Sequence, residues 1–117
     1  MKGRSLWARA GFSLAGLREA WRRERSFRDL VMAGVVVGIV LAAVGAGEAE
    51  WALVIVALTI ALGLELANGA IEAVADRLHP EQHADIGAAK DMASAAVFLA
   101  NCVLGGLTVW VAARNVL

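Results

Sequence analysis

From Leu30 to Gly47 (LVMAGVVVGIVLAAVGAG) the chain carries no charged residue, and from Met92 to Ala113 it again carries none. A helix needs about 20 mostly apolar residues to cross the hydrocarbon core of a bilayer. Between these stretches, Trp51 to Leu78 is apolar as far as Leu64 and is then interrupted by Glu65, Asn68, Glu72 and Asp76. Three transmembrane helices are therefore predicted, over 29–47, 51–78 and 91–113. Composition agrees. Of 117 residues 60% are hydrophobic and 19% charged, with a mean hydropathy of +0.67. A soluble domain this short could not hide that much apolar surface from water. The single cysteine, Cys102, permits no intrachain disulfide and reads as a small apolar side chain.

Residues 1–28 form a basic arm. Trp7, Ala10, Leu14, Leu17 and Trp21 recur at alternating spacings of three and four and share one helical face, while Arg18, Arg22 and Arg25 line another. That is the pattern of an amphipathic helix lying in the membrane surface; a soluble helix packed on a partner is the alternative. The arm lacks the uninterrupted apolar core and small-residue cleavage site of a signal peptide. The expected class is an all-α membrane protein of one domain, 1–117, with an N-terminal amphipathic surface helix plus three transmembrane helices. The formal net charge of zero hides a polarised layout. Residues 1–29 hold eight basic and three acidic groups, a balance of +5, and the remainder three basic and eight acidic, a balance of −5. Lysine and arginine placement puts the arm and the second loop (HPEQHADIGAA) in the cytoplasm and the first loop and C-terminus outside. Basic residues near Trp7 and Trp21 suit anionic headgroups better than nucleic acid.

On the second span, Glu65, Asn68, Glu72 and Asp76 fall at roughly 0°, 300°, 340° and 20° around the helix, so four polar groups share one narrow face. Counting from Trp51 at about 1.5 Å per residue, Glu65 lies roughly 21 Å into a core about 30 Å thick. Glu72 follows about 10 Å further on, near the water boundary. An ionisable group inside the membrane costs roughly 2.5–3.5 kcal/mol on insertion scales and marks a functional site by default. The competing view of Glu65, a protonated acid bonded to a neighbouring helix, explains one glutamate better than a stripe of four. On the third span Asp91, Ser94, Asn101 and Gly105 form a second stripe, with Lys90 at its mouth. Lys90 beside Asp91 could equally be an ordinary interfacial ion pair. Glu24 continues the Trp7-to-Trp21 face of the arm. It could meet Glu72 as a pair of oxygen ligands for a magnesium-bound phosphate, or simply pair with the neighbouring arginines; spacing does not choose. No P-loop or dinucleotide-binding glycine motif occurs. His79 and His83 straddle Pro80 and read as solvated loop residues.

These landmarks resemble the prokaryotic diacylglycerol kinases, small integral-membrane lipid kinases, over nearly the whole chain. The resemblance rests on GLREAW with ERSFRD in the arm, ELANGAIEAVADR on the second span and AAKDMASAAV opening the third. It implies a homotrimer in the bacterial inner membrane, with active sites shared between protomers at the cytoplasmic boundary, making phosphatidate from diacylglycerol and MgATP. By motif position it implies Glu65 as catalytic base, with Asn68 and Lys90 in the catalytic set, and Glu24 and Glu72 as ligands of Mg2+. Phe12, Glu24, Glu72, Glu81, Gln82, His83, Lys90 and Asp91 would meet the nucleotide, and Glu65 and Ser94 the lipid. The chain departs from the pattern at several positions. Gly69 stands where a hydroxyl residue is usual, Ala93 for a glycine, Ala88 for a common arginine and Phe12 for a common tyrosine. The family's arm arginine aligns with Ser5, next to Arg4, and the alignment does not choose between Arg4 and Arg9 for a substrate contact.

Three rival readings remain at this point. An undecaprenol kinase of the same family would show the same site residues. A small proton-coupled transporter would use a buried glutamate, but would have no use for a polar stripe running on to Lys90 and Asp91. A non-catalytic assembly subunit would phosphorylate nothing.

Overall fold

The computed structural model describes residues 5–78 and 83–117, and within them the chain forms four helices and no strand. They are α1 (Leu6–Arg23), α2 (Arg25–Val44), α3 (Glu48–Leu78) and α4 (Ala84–Val116). Helices α2, α3 and α4 are each long and apolar enough to cross a membrane, so the expected class holds and the chain is a membrane protein.

Helix α1 starts at Ser5, whose Oγ accepts the Ala8 N–H at 3.2 Å, satisfying one of the orphan amides of a first turn. Only Ala20 on this helix is buried, and Trp7, Leu14, Leu17 and Trp21 remain exposed. The apolar face is thus open, as a helix lying in the membrane surface requires. On the polar side Glu19 binds Arg22 at 2.5 Å and Arg23 at 3.7 Å. The Arg22 hydrogen bond holds the Glu19 carboxyl below its ordinary range, against a desolvation effect that raises it.

The arm does not run unbroken to residue 28. At Glu24 the backbone turns extended (φ −106°, ψ 103°), ending α1 and starting α2. No proline or glycine marks the place. The break is stabilised from the first turn of α2, where Arg28 Nη1 donates to the carbonyls of Trp21 at 2.6 Å and Arg22 at 3.2 Å. These belong to the last turn of α1, whose carbonyls have no intrahelical partner, and a cation there also matches the negative end of the helix dipole.

Helix α2 ends at Gly45 in the left-handed region (φ 73°, ψ 39°). The Gly45 N–H returns to Ala42 and Leu41, and Ala46 N–H to Leu41 O at 3.0 Å, the glycine-dependent way of closing a helix. At the start of α3, Glu50 Oε1 accepts the Gly47 N–H at 2.9 Å, half of a capping box. Its Oε2 takes Asn115 Nδ2 at 2.9 Å and faces Arg114 Nε at 3.4 Å, while Arg114 lies 4.7 Å over the Trp110 ring. Glu50 therefore ties the start of α3 to the end of α4, and Arg114, isolated in the sequence, is paired.

The core joins Leu30 and Leu41 of α2, Val54, Ala57 and Ala61 of α3, and Ala100, Leu104 and Val111 of α4. Lipid supplies no hydrophobic drive between helices, so close backbone approach through small residues carries the association, and Ala57, Ala61 and Ala100 provide it. Helix α3, with 31 residues, and α4, with 33, are about 45–50 Å long and outlast a core of about 30 Å. Each begins ahead of its predicted span, α3 at Glu48 instead of 51 and α4 at Ala84 instead of 91. First-turn acids, Glu48 and Glu50 on α3 and Asp85 on α4, suit those helix starts. The surplus length carries the charged segments beyond the lipid.

If Arg28 holds the corner, Arg28→Met should lower stability in detergent by about 1–2 kcal/mol, the worth of charge-assisted bonds at a partly exposed site. The measurement is the unfolding midpoint of the purified protein; an unchanged midpoint would assign the corner to other contacts.

Candidate functional site

The α1–α2 corner delivers two side chains to α3, two residues apart. The first is Glu24. Its Cδ and Cγ lie 3.2 and 3.3 Å from where a Cβ on Gly69 would stand, so the missing side chain lets the Glu24 carboxyl rest on the α3 backbone. Glu72 is three residues further along α3, on the same helical face as Gly69. The neighbouring arginines are engaged elsewhere, Arg22 and Arg23 with Glu19 and Arg25 with Asp29 at 3.8 Å. Among the described residues Glu24 has no ion pair, so arginine pairing does not account for it.

The second is Ser26, whose Oγ donates to Glu65 Oε1 at 2.5 Å. Glu65 is 5% exposed, the one buried charged or polar residue among those described. It continues the packed seam Val54–Ala57–Ala61–Glu65–Gly69, all buried. The stripe face of α3 is therefore the face turned into the protein. One turn on, Asn68 Oδ1 is buried with no hydrogen-bond partner among the described residues, a leftover acceptor that calls for an explanation.

Two grooves flank the corner. The groove between α2 and α4, about 590 Å³, is mostly apolar and is lined by Ser26, Asp29, Leu30, Glu65, Asn101 and Leu104 among others. The groove between α1 and α3, about 540 Å³, holds Glu19, Arg23, Glu24 and Gly69. Both fall in the range of small-molecule sites, roughly 300–1,000 Å³.

Beyond the lipid-length part of the helices, Lys90 Nζ binds Asp76 Oδ1 at 2.6 Å, joining α4 to α3, and Glu72 acts on the same ammonium electrostatically. Lys90 does not pair with Asp91. Within the chain, the second stripe does not lie on the buried side of α4. Asp91, Ser94, Asn101 and Gly105 are all exposed, because Val97, Ala100, Leu104 and Val111 take the buried seam of α4. Asn101 and Gly105 reach the groove that Glu65 opens on; Asp91 and Ser94 make no hydrogen bond or ion pair among the described residues. His83 caps α4, its Nδ1 accepting the Asp85 N–H at 3.1 Å, and Phe12 lies half exposed on α1. Arg4, Glu81 and Gln82 lie outside the described residues. Three or more metal-ligating side chains gather nowhere among the described residues.

The profile described as prokaryotic diacylglycerol kinase matches residues 11–112. The chain belongs to the prokaryotic diacylglycerol kinase family. A diacylglycerol kinase of Pseudomonas aeruginosa is 45% identical over 94 residues, covering 80% of this chain and 76% of the relative. One from Haemophilus influenzae is 36% identical over 94 residues, covering 80% of each. One from Escherichia coli K12 is 38% identical over 91 residues, covering 78% of this chain and 75% of its own. Membership makes the chain an ATP-dependent lipid kinase and retires the transporter and assembly-subunit readings.

Three residues that the sequence did not single out for the kinase site now stand in or beside it. Ser26, Asp29 and Arg28 sit within ERSFRD, a segment the resemblance already rested on, but no spacing rule pairs a serine with a glutamate 39 residues away. The Lys90–Asp76 bridge is largely solvent-exposed, Asp76 at 66%. Asp76→Asn should therefore leave the unfolding midpoint nearly unchanged, as loss of one exposed pair does. A larger fall in the unfolding midpoint would show the bridge to be a structural tie.

Proposed function

We propose that this kinase transfers the γ-phosphate of ATP to the hydroxyl of diacylglycerol, giving phosphatidate, with Glu65 as the base. One observation carries the reading. The buried Glu65 carboxylate opens on the mostly apolar α2–α4 groove, whereas Glu24 rests on Gly69 further along α3 and Glu72 acts on Lys90 toward the charged helix ends. A lipid hydroxyl lies below the headgroups, at the depth counted for Glu65, and a nucleotide stays in water. In-line phosphoryl transfer asks the protein mainly for positioning and charge neutralisation. Glu65 accepts the proton of the acceptor hydroxyl, the oxygen attacks the γ-phosphorus, and the bond to the β-phosphate oxygen breaks to release ADP. Asn68 Oδ1, buried beside this centre, is an acceptor suited to a hydrogen bond from the substrate.

Two carboxylates plus substrate phosphates is the usual way a protein holds Mg2+, so Glu24 on its Gly69 ledge and Glu72 fit that ion. Bound there, it would neutralise phosphate charge. Lys90, Asp91, Glu81, Gln82, His83 and Phe12 are assigned to the nucleotide by motif position. The +5 balance of residues 1–29 supports a cytoplasmic N-terminus in the bacterial inner membrane. The resemblance implies a homotrimer in which neighbouring protomers share the sites, with Ser94 at the lipid, and Asp91 and Ser94 are exposed and so open to a neighbouring protomer.

The purified protein is to be assayed with labelled ATP and either diacylglycerol or undecaprenol in mixed micelles. Phosphatidate as the dominant product is expected; preferential labelling of undecaprenol would move the chain to the sister activity. Gly69→Val pushes a branched side chain into the space of the Glu24 carboxyl. It should raise the Mg2+ concentration for half-maximal activity about tenfold, on the scale of supporting-residue effects on metal sites. A Mg2+ titration unchanged from wild type would remove Glu24 from the metal's ligands.

A further inference from the structure

Ser26 is the second residue of α2, two past the N-cap position at which a serine serves a helix start. That position is held by Glu24, which makes no side-chain capping bond. Instead Ser26 Oγ crosses to α3 and donates to Glu65 Oε1. This is the only hydrogen bond to Glu65 from the described residues. The same hydroxyl lines the α2–α4 groove together with Glu65 and Asn101. A glutamate has three side-chain torsions, and a carboxylate in an apolar seam without a fixed partner can swing among them. Bonded through Oε1, it retains ample acceptor capacity on Oε2, because an ionised carboxylate offers about four lone-pair sites.

We infer that Ser26 is a positioning residue for phosphoryl transfer: it fixes Glu65 through Oε1 and leaves Oε2 to receive the proton of the lipid alcohol in the α2–α4 groove. The inference rests on the reading of Glu65 as base. It requires a donor at residue 26 and no particular bulk, since Ser26 itself is exposed and its side chain contributes little packing. A misplaced catalytic group loses rate in the chemical step, whereas nucleotide binding on the other side of the corner is untouched.

The test compares wild type with Ser26→Ala, Ser26→Thr and Glu65→Gln in mixed micelles of diacylglycerol, measuring kcat and KM for MgATP, with helix content checked for each variant. Ser26→Ala should lower kcat about tenfold, the scale of one hydrogen bond to a charged group. Its KM for MgATP should stay within about twofold, the mark of an interaction lost from the chemical step alone. Ser26→Thr, which keeps a hydroxyl donor, should recover most of the kcat, and Glu65→Gln should be inactive. Full turnover in Glu65→Gln would remove the base and this inference with it. Loss in Glu65→Gln beside an unchanged kcat in Ser26→Ala would overturn the role of Ser26 alone. A Thr variant as slow as Ala, or a change confined to KM, would also overturn it.

Discussion

The break at Glu24, held by the Arg28 guanidinium on the last carbonyls of α1, sets the geometry of the whole site. A continuous helix through residues 22–28 would leave Glu24 on the membrane-facing side of the arm, where a carboxylate has no partner. Turning the chain there frees the Glu24 side chain to fall onto Gly69. It also starts α2 in a direction that brings Ser26 onto Glu65. Both contacts to α3 therefore depend on a corner that interrupts the helical hydrogen bonding, where Arg28 satisfies the carbonyls of Trp21 and Arg22.

The corner also separates two mostly apolar grooves. Residues on one side of it line the α1–α3 groove, with Glu19, Arg23 and Glu24; residues on the other line the α2–α4 groove, with Ser26, Asp29 and Glu65. A kinase acting on a lipid has to bring a water-soluble triphosphate to a hydroxyl that does not leave the membrane. Under the proposed roles, Glu65 as base in the α2–α4 groove, with Glu24, Glu72 and Lys90 toward the helix ends, would meet that requirement around one short stretch of α3. The opposite end of the molecule has a different task. There Glu50, Arg114 and Asn115 fasten α3 to α4, fixing the seam along which Glu65 is held.

Much of this was legible beforehand. Uncharged runs gave the spans, because lipid tolerates little else, and the period of the helix put Glu65, Asn68 and Glu72 on one face. The packed face of α4 is not fixed by the same period. Periodicity shows which residues share a side but not which side packs, and the apolar Val97–Ala100–Leu104–Val111 seam won over the polar one. The corner was not legible, since neither proline nor glycine marks it and its stabilisation comes from Arg28 reaching back across the turn. Ser26 escaped for the same reason: its partner is defined only by tertiary packing. The departure at Gly69 was visible as a letter, but its consequence, a ledge for Glu24, needed the structure.

The central claim is that the lipid alcohol meets Glu65 in the α2–α4 groove. It is tested most directly by photoaffinity labelling with a diacylglycerol carrying a diazirine near its glycerol, followed by peptide mapping. The account predicts labels on α2 around Ser26–Leu30 and on α4 around Asn101–Gly105, competed by unlabelled diacylglycerol. Competable labelling confined to the α1–α3 groove, around Leu17 and Ala73, would contradict it.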